Sequence, residues 1–342
     1  MNICFIIDPW DTLSPEEDSS LRLIHESLIR NHTVGIIESQ GFTIRKSRTY
    51  GFVKKIIPQE KYSANFKNFH SRIKFSEQML PLSGFDAIFV RSNPPLDPVM
   101  LNFLDSVKDD TFIVNDIEGL RKANNKLYPA SFDDPDNEII PVTYVSKNKN
   151  FLKKVVMESP KDKMILKPLE GYGGSGVIVL EKSAKQSISS LLDFYISGKD
   201  RSNFVILQEF VEGAEKGDTR VLMLNGQAIG AYKRVPSGDD LRANIKVGGK
   251  GVKHQLTKEE KIICSKVGPK LVADGLYFVG LDIISNKLIE INVVSPGGIT
   301  RINHFNRVKL QKKIIDFIEE VVNRKEQAID RKRELKRMIN EA

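Results

Sequence analysis

The sequence predicts an α/β (α+β) protein. An N-terminal open parallel-sheet lobe is followed by a larger region in which antiparallel strands prevail. Two patterns carry this. Over residues 1–121, short apolar runs alternate with helix-periodic stretches, and the runs end at polar residues. Beyond residue 141, strand-like runs follow one another, two of them joined by Asn225-Gly226. A chain of 342 residues can bury a large core and divides into two or three lobes.

Ile3–Ile7 is an apolar run that stops at Asp8-Pro9. Asp18, Ser19 and Ser20 then offer N-caps, and Leu21, Ile24, Leu28 and Ile29 follow at helical spacing. Val34–Ile37 reads as a second strand ending in Glu38. Residues 42–83 show no clear period, and Lys54–Phe69 is expected to hold a hairpin or an irregular insertion. Ala87–Val90 ends at Arg91 and Phe112–Val114 at Asn115. Polar residues at the carboxyl ends of successive strands are where open α/β sheets hold ligands, which supports a parallel sheet. Arg121–Pro129 is expected to be a short helix closed by its proline, and the polar stretch SFDDPDNEIIP (131–141) marks a boundary. Met164–Pro168, Val177–Leu180, Phe204–Phe210, Arg220–Leu224 and Ala228–Arg234 read as strands, with Asn225-Gly226 as a two-residue hairpin turn. Thr257–Val272 has helical spacing. Leu310, Ile314, Phe317 and Val321 form an apolar helical stripe, and residues 323–342 continue it as a charged helical tail.

Composition narrows the function classes. Charged residues are 28% and hydrophobic ones 40%, which is ordinary for a globular chain. No apolar run approaches the roughly 18 residues of a membrane span. The start, MNICFIIDPW, has no basic stretch before its apolar run, so no secretory signal is expected. Cys4 and Cys264 form neither a metal spacing nor a disulfide framework, so a cytoplasmic location is expected, with no membrane partner. The net charge of +8 fits a nucleic-acid partner or an anionic small-molecule site plus a basic tail. Residues 323–342 hold seven Lys/Arg against four Asp/Glu. Aromatics are not interleaved with basic residues, as a single-strand platform requires. The small-molecule reading is preferred and no nucleic acid is expected.

The stretch Leu281–Ser295 (LDIISNKLIEINVVS) is the most informative. Glu290 and Asn292 are two apart in an apolar run and share one strand face. Asp282 lies on an earlier run, with Ser285-Asn286-Lys287 as the turn between. Three hard oxygen ligands without Cys or His suit Mg²⁺ shared with a nucleotide phosphate. A hairpin with solvated polar residues explains this stretch equally well. Gly171-Tyr172-Gly173-Gly174-Ser175-Gly176 satisfies G-x-G-x-x-G, yet β-branched residues follow it. It therefore joins two strands and is neither a dinucleotide fingerprint nor a Walker A loop. Such a loop can offer N–H groups to phosphates or be a plain flexible hairpin. Lys167, inside the apolar strand Ile165–Pro168, needs an anion, either a nucleotide phosphate or a protein carboxylate.

These features in this order resemble the ATP-grasp ligases, and among them the bacterial-type glutathione synthetases. The signposts are Asp8-Pro9, Asp18-Ser19-Ser20, Arg91–Pro95, Asn115, Leu120-Arg121, Asn125-Lys126-Leu127 and Ile165–Leu169 with the glycine loop. Gly217–Arg220, Arg234-Val235-Pro236, Arg242-Ala243-Asn244 with Gly248-Gly249, Val279–Asp282 and Glu290–Pro296 complete them. The resemblance implies an ATP-grasp fold: a Rossmann-like lobe over 1–121, then an ATP-grasp domain over 122–322. That domain would divide into a lid subdomain over about 130–207 and a C-terminal antiparallel-sheet catalytic lobe over 208–322. By resemblance, Lys126 and Lys167 reach the ATP phosphates, Gly173 and Gly174 cover them, and Gln208, Glu209, Phe210 and Val211 form the adenine hinge with Asp218 near the nucleotide. Asp282, Glu290 and Asn292 hold Mg²⁺ or Mn²⁺. Arg220, Arg234 and Arg242 act at the reacting carboxylate and transferred phosphoryl. Asp18, Ser19, Arg91, Asn244 and Ser295 line the peptide-substrate end.

The implied chemistry is ligation of γ-glutamylcysteine to glycine through an acyl-phosphate, with ATP as co-substrate, in a homo-oligomer. A γ-phosphoryl transfer of this kind rests on positioning and charge neutralisation. Competing readings are a related ligase with another carboxylate–amine pair, a catalytically silent nucleotide-binding regulator, and a basic nucleic-acid binder. After Ser295-Pro296 the chain has Gly297-Gly298, where some members carry bulkier residues.

Overall fold

The computed structural model describes residues 1–171, 174–197, 203–236 and 249–341. The chain forms two compact units. Unit 1 holds Met1–Arg121, Asp274–Phe278 and Gly297–Ala342, and unit 2 holds Lys122–Ala273 and Val279–Pro296.

Unit 1 begins with β1 (Asn2–Ile7), whose residues 3–7 are buried because both faces of the sheet are covered. Then come α1 (Ser19–Ile29), β2 (Thr33–Glu38), β3 (Phe42–Arg45), β4 (Arg48–Ile56), α2 (Phe66–Arg72), β5 (Phe75–Pro81), β6 (Ala87–Val90), α3 (Pro98–Asp105), β7 (Phe112–Val114) and α4 (Ile117–Ala123). Strands β2, β1, β6 and β7 are parallel neighbours, as the sequence predicts. The region 42–83 differs from its expected irregularity. Here β4 adds antiparallel to β2, with β3 and β5 antiparallel to β4, so the sheet is mixed and seven-stranded. The alternation in β4 is broken by Gly51, and β5 (FSEQMLP) exposes most of both faces, so neither shows an apolar period.

Unit 2 continues with α5 (Leu127–Ala130), β8 (Thr143–Ser146), α6 (Lys149–Glu158), β9 (Lys163–Pro168), β10 (Ile178–Glu181), α7 (Lys185–Ile196) and β11 (Val205–Glu209). The expected single helix Arg121–Pro129 is two, because α4 stops at Ala123 and Pro129 lies within α5. A proline in a first helical turn loses no hydrogen bond, so it does not close this helix. The sheet β10-β9-β11-β8 is antiparallel and packs Leu166, Leu180, Val205 and Leu207 against Leu152, Ile188 and Leu192. The glycine loop joins β9 and β10, two antiparallel strands.

A second sheet follows: β12 (Asp218–Leu224), β13 (Gln227–Val235), β14 (Lys250–Lys253), then α8 (Lys258–Ala273), β15 (Phe278–Ile284) and β16 (Lys287–Asn292), in the order β14-β13-β12-β15-β16. The β12–β13 turn has φ of 47° at Asn225 and 76° at Gly226, the positive values that a two-residue hairpin demands. The β15–β16 turn does the same with Ser285 and Asn286. Unit 1 closes with α9 (Ile299–Asn306) and α10 (Leu310–Glu341). The buried stripe of α10 is Leu310, Ile314, Ile315, Ile318 and Val322, one residue round from the predicted stripe at Phe317 and Val321. Phe317 packs instead with Phe112 and Tyr277. Residues 326–341 of α10 are exposed.

Helix α8 crosses the β12–β13 turn at backbone distance. A Cβ on Gly268 would lie 2.2 Å from the carbonyl oxygen of Gly226. Gly268→Ala is therefore expected to force the hairpin away and destabilise the protein by about 1–3 kcal/mol. Thermal unfolding checks this, and an unchanged Tm would show that the contact is slack.

Candidate active site

In unit 2 the site grows from strand register. Asp282 on β15 faces Glu290 on β16, and Gly280 faces Asn292. Directly opposed residues share a face, so Asp282 and Glu290 lie side by side, and Asn292 Nδ2 donates to Asp282 Oδ2 at 3.1 Å. Arg220 on β12 and Arg234 on β13 complete the cluster. Arg220 grips Asp282 with Nε to Oδ1 at 2.5 Å and Nη2 to Oδ2 at 2.9 Å. Arg234 Nη2 lies 2.9 Å from Asp282 Oδ1, while its Nε and Nη2 donate to Asp218 at 2.6 and 2.7 Å. Asp218, opposite Arg234 in register, thus anchors that arginine. All but Asp218, Glu290 and Asn292 are almost fully buried. Burial alone would raise Asp282, but Arg220 and Arg234 outweigh it and hold its carboxyl at about 2. Burial alone would lower Arg234, and the carboxylates of Asp282 and Asp218 raise it instead.

Lys167 on β9 is 6% exposed, and its ammonium donates to Gln208 Oε1 on β11 at 2.9 Å. Gln208 Nε2 in turn donates to Thr143 Oγ1 at 2.8 Å. The lysine's direct partner is therefore a neutral amide rather than a carboxylate. Burial pulls Lys167 down to about 8; Glu290 pushes it up and Lys126 adds to the fall. Lys126 is also lowered by burial, against Glu290, and its ammonium donates to the Gly171 carbonyl. Burial and the neighbouring Asp282 raise Glu290, with Lys126, Lys167 and Arg220 opposing. Gly174 lies in a turn whose carbonyl accepts from Val177. Glu209 ends β11, and Phe210 and Val211 have left the sheet. Gly173, Arg242 and Asn244 lie outside the described residues. Ser295 is half-buried just beyond β16.

Unit 1 carries its own polar cluster at the carboxyl end of β1. Asp18 caps α1 by accepting from Leu21 N at 2.9 Å. Ser19 Oγ accepts from the N–H groups of Gly298 and Ile299 at 3.3 Å, at the start of α9. Ser20 Oγ accepts from Arg91 Nε at 3.2 Å. Arg91 is buried, with its guanidinium 5.7 Å from the Phe278 ring, and burial draws it down to about 10 against the pull of Asp18.

Residues 1–121 match the prokaryotic glutathione synthetase N-terminal domain, and residues 125–307 match the ATP-grasp domain of the same family. The chain belongs to the prokaryotic glutathione synthetase family. It is 33% identical to the glutathione synthetase of Gloeobacter violaceus, over 94% of this chain and 97% of that one. To that of Thermosynechococcus vestitus it is 32% identical, over 93% and 99%. Among solved structures, D-cycloserine synthetase DcsG aligns at a TM-score of 0.63 and 15% identity, over 94% and 99% of the two chains. A RiPP-associated ATP-grasp ligase from Chryseobacterium gregarium aligns at 0.61 and 14%, over 92% and 97%. The fold is ATP-grasp and the chain is an ATP-dependent ligase.

A divalent cation fits this glutathione synthetase family member through two atoms above all. Glu290 makes no hydrogen bond or ion pair among the described residues. Asn292 spends its Nδ2 on Asp282 and Gly280, which leaves Oδ1 to accept. Both are hard oxygens of the kind that Mg²⁺ takes alongside phosphate and water. Asp282 differs, since Arg220, Arg234 and Asn292 occupy both its oxygens. No group of three or more His, Cys, Asp or Glu among the described residues could hold a metal unaided. Gln208's side chain, Thr143 and Ser20 were not among the candidate site residues. Strand pairing brings the first two to Lys167, and a hydroxyl that binds across a sheet has no local spacing to reveal it.

Two outcomes follow from these charges. Glu290→Gln is expected to leave Tm unchanged or raised, because it removes a charge that partial burial and Asp282 both disfavour, while ATP-dependent turnover falls about 100-fold or more. Circular dichroism melting and ADP release test the two halves. A bound anion stabilises charged Lys167, so its bound-state pKa exceeds the free value of about 8. Metal-free ADP affinity should be flat below pH 8 and weaken as pH rises through it, by up to about tenfold per unit. Calorimetric titration should find that dependence gone in Lys167→Gln.

Proposed function

We propose that this chain joins γ-glutamylcysteine to glycine, consuming ATP and releasing glutathione, ADP and phosphate. The observation that carries the reading is the largely buried cationic cluster of unit 2. Arg220 and Arg234 are locked on Asp282, while burial draws Lys126 and Lys167 down in pKa and Lys167 donates to the neutral amide of Gln208. Such a set is preorganised for phosphates and for negative charge that develops during transfer. The substrate identity follows from the family and from near full-length similarity to glutathione synthetases.

In this reading Lys126 and Lys167 neutralise the ATP phosphates, and the family pattern assigns Gly173 and Gly174 to cover them. Phe210 and Val211, free of the sheet, read adenine with their backbone, beside Gln208 and Glu209. Glu290 and Asn292, beside Asp282, would hold Mg²⁺ or Mn²⁺, which would neutralise phosphate charge. Arg220 and Arg234 face the substrate carboxylate. One of its oxygens attacks the γ-phosphorus and ADP leaves. The glycine amine then attacks the acyl carbon, losing a proton, and phosphate departs. Arg242 serves the reacting carboxylate and transferred phosphoryl group, Asn244 belongs to the peptide-substrate end, and the acyl-phosphate has to be kept from water. Asp18, Ser19, Arg91 and Ser295 anchor γ-glutamylcysteine. We assign residues 130–207 as lid subdomain, 208–322 as catalytic lobe and 323–342 as an added tail, in a homo-oligomer. Among the described residues no helix is long and apolar enough to cross a membrane. A reducing cytoplasm suits a thiol substrate and the two free, buried cysteines.

The test is ADP release with Mg²⁺, ATP, γ-glutamylcysteine and glycine, omitting each in turn, with mass detection of product. Release is expected to need every component and to yield glutathione. ATP turnover confined to another carboxylate–amine pair would move the chain to another ligase branch.

A further inference from the structure

In the first turn of α1, just after Asp18, Ser19 and Ser20, unit 1 contains a buried cation that the ligation chemistry does not use. Arg22, four residues after Asp18 on α1, is 8% exposed. Its hydrogen bonds go to main chain and not to a carboxylate. Nη1 donates to the Pro15 carbonyl at 3.1 Å and Nη2 to the Glu16 carbonyl at 2.9 Å. Its other side is covered by Phe66 of α2, with Cζ 3.2 Å from the ring centroid. Burial draws Arg22 down to about 10 against Asp18 and Glu17. A charge is costly to bury, and water could satisfy two surface carbonyls more cheaply.

The loop and α1 together are tied to α2 and its flanks at three more points. Lys67 pairs with Glu16 at 3.0 Å. The His25 ring meets the Ser63 carbonyl at 3.0 Å. Trp10 stacks on His70 at 4.8 Å and donates to its carbonyl at 3.2 Å. Arg22 is the buried charge of this set, and it alone bridges two successive carbonyls. Those carbonyls precede the residues that cap α1, receive the α9 amides and hold Arg91. We infer that Arg22 is a positioning residue: by clamping the Pro15 and Glu16 carbonyls against Phe66, it sets the place of Asp18, Ser19 and Ser20 and hence the anchoring of the carboxylate substrate in unit 1. The substrate part of this inference rests on the proposed ligation.

Lysine keeps the charge, but its ammonium can neither bridge two carbonyls in one plane nor stack flat on a ring. Arg22→Lys and Arg22→Met are therefore both expected to raise KM for γ-glutamylcysteine about tenfold or more, since small misplacements weigh heavily on positioning. KM for ATP and kcat should stay within about twofold. Trp10 is the only tryptophan and sits in the clamped loop, so acrylamide quenching of its fluorescence reads the loop without any turnover. Quenching should rise in both variants. Phe66→Leu, which keeps the arginine and removes the aromatic face, should give a smaller change of the same kind, and it carries the test if Arg22→Met fails to fold. A lysine variant that behaves as wild type would overturn the clamp, as would unchanged quenching or equal losses in kcat and both KM values. No turnover of γ-glutamylcysteine and glycine by the wild type would sink the ligation reading alone, and the quenching result would then decide the clamp by itself.

Discussion

Asp282 is the residue on which the catalytic sheet of unit 2 is organised. Four donors from three strands converge on its two oxygens. Removing one partner from such a buried set leaves an uncompensated charge, a loss of about 3–5 kcal/mol. The arrangement therefore holds as a whole or not at all. It fixes Arg220 and Arg234 before any substrate arrives, so their orientation need not be created during reaction. Gly280 makes this possible: a Cβ there would sit 3.3 Å from Arg220 Cδ and 3.1 Å from Pro296.

Around that fixed core, the remaining charges are deliberately unsettled. Glu290 is raised by burial and by Asp282, and the two lysines are lowered by burial. A carboxylate without cationic contact and ammonium groups held on neutral oxygens both gain when a cation and a polyanion enter together. The ligand-free protein stores this as mild electrostatic discomfort, spread over three side chains. Perturbed groups of this sort cluster where chemistry is done.

Much of this architecture is legible in the residues themselves. The parallel strands of unit 1 read as apolar runs because both faces are buried, and the Asn225-Gly226 turn announces its hairpin. Asp282, Glu290 and Asn292 are visible as a set because strand periodicity is two and the intervening turn is short. Strands β3, β4 and β5 were not legible, since an exposed sheet margin needs no apolar alternation. Nor was the claim of two arginines on Asp282, because pairing across β12, β13 and β15 is a long-range fact without local trace. The side-chain bond between Lys167 and Gln208 escaped for the same reason, although each residue was singled out separately.

The outer part of α10 has a practical consequence. Residues 326–341 are exposed while the helix stays unbroken from Leu310. At about 1.5 Å per residue, that section is a stalk of roughly 24 Å. Its root is held by Arg30, whose guanidinium reaches Asp316 and Glu319 at 2.7 and 2.8 Å. A dye or spin label at its tip would act as a pointer, turning small rotations of α1 into large displacements that distance spectroscopy resolves.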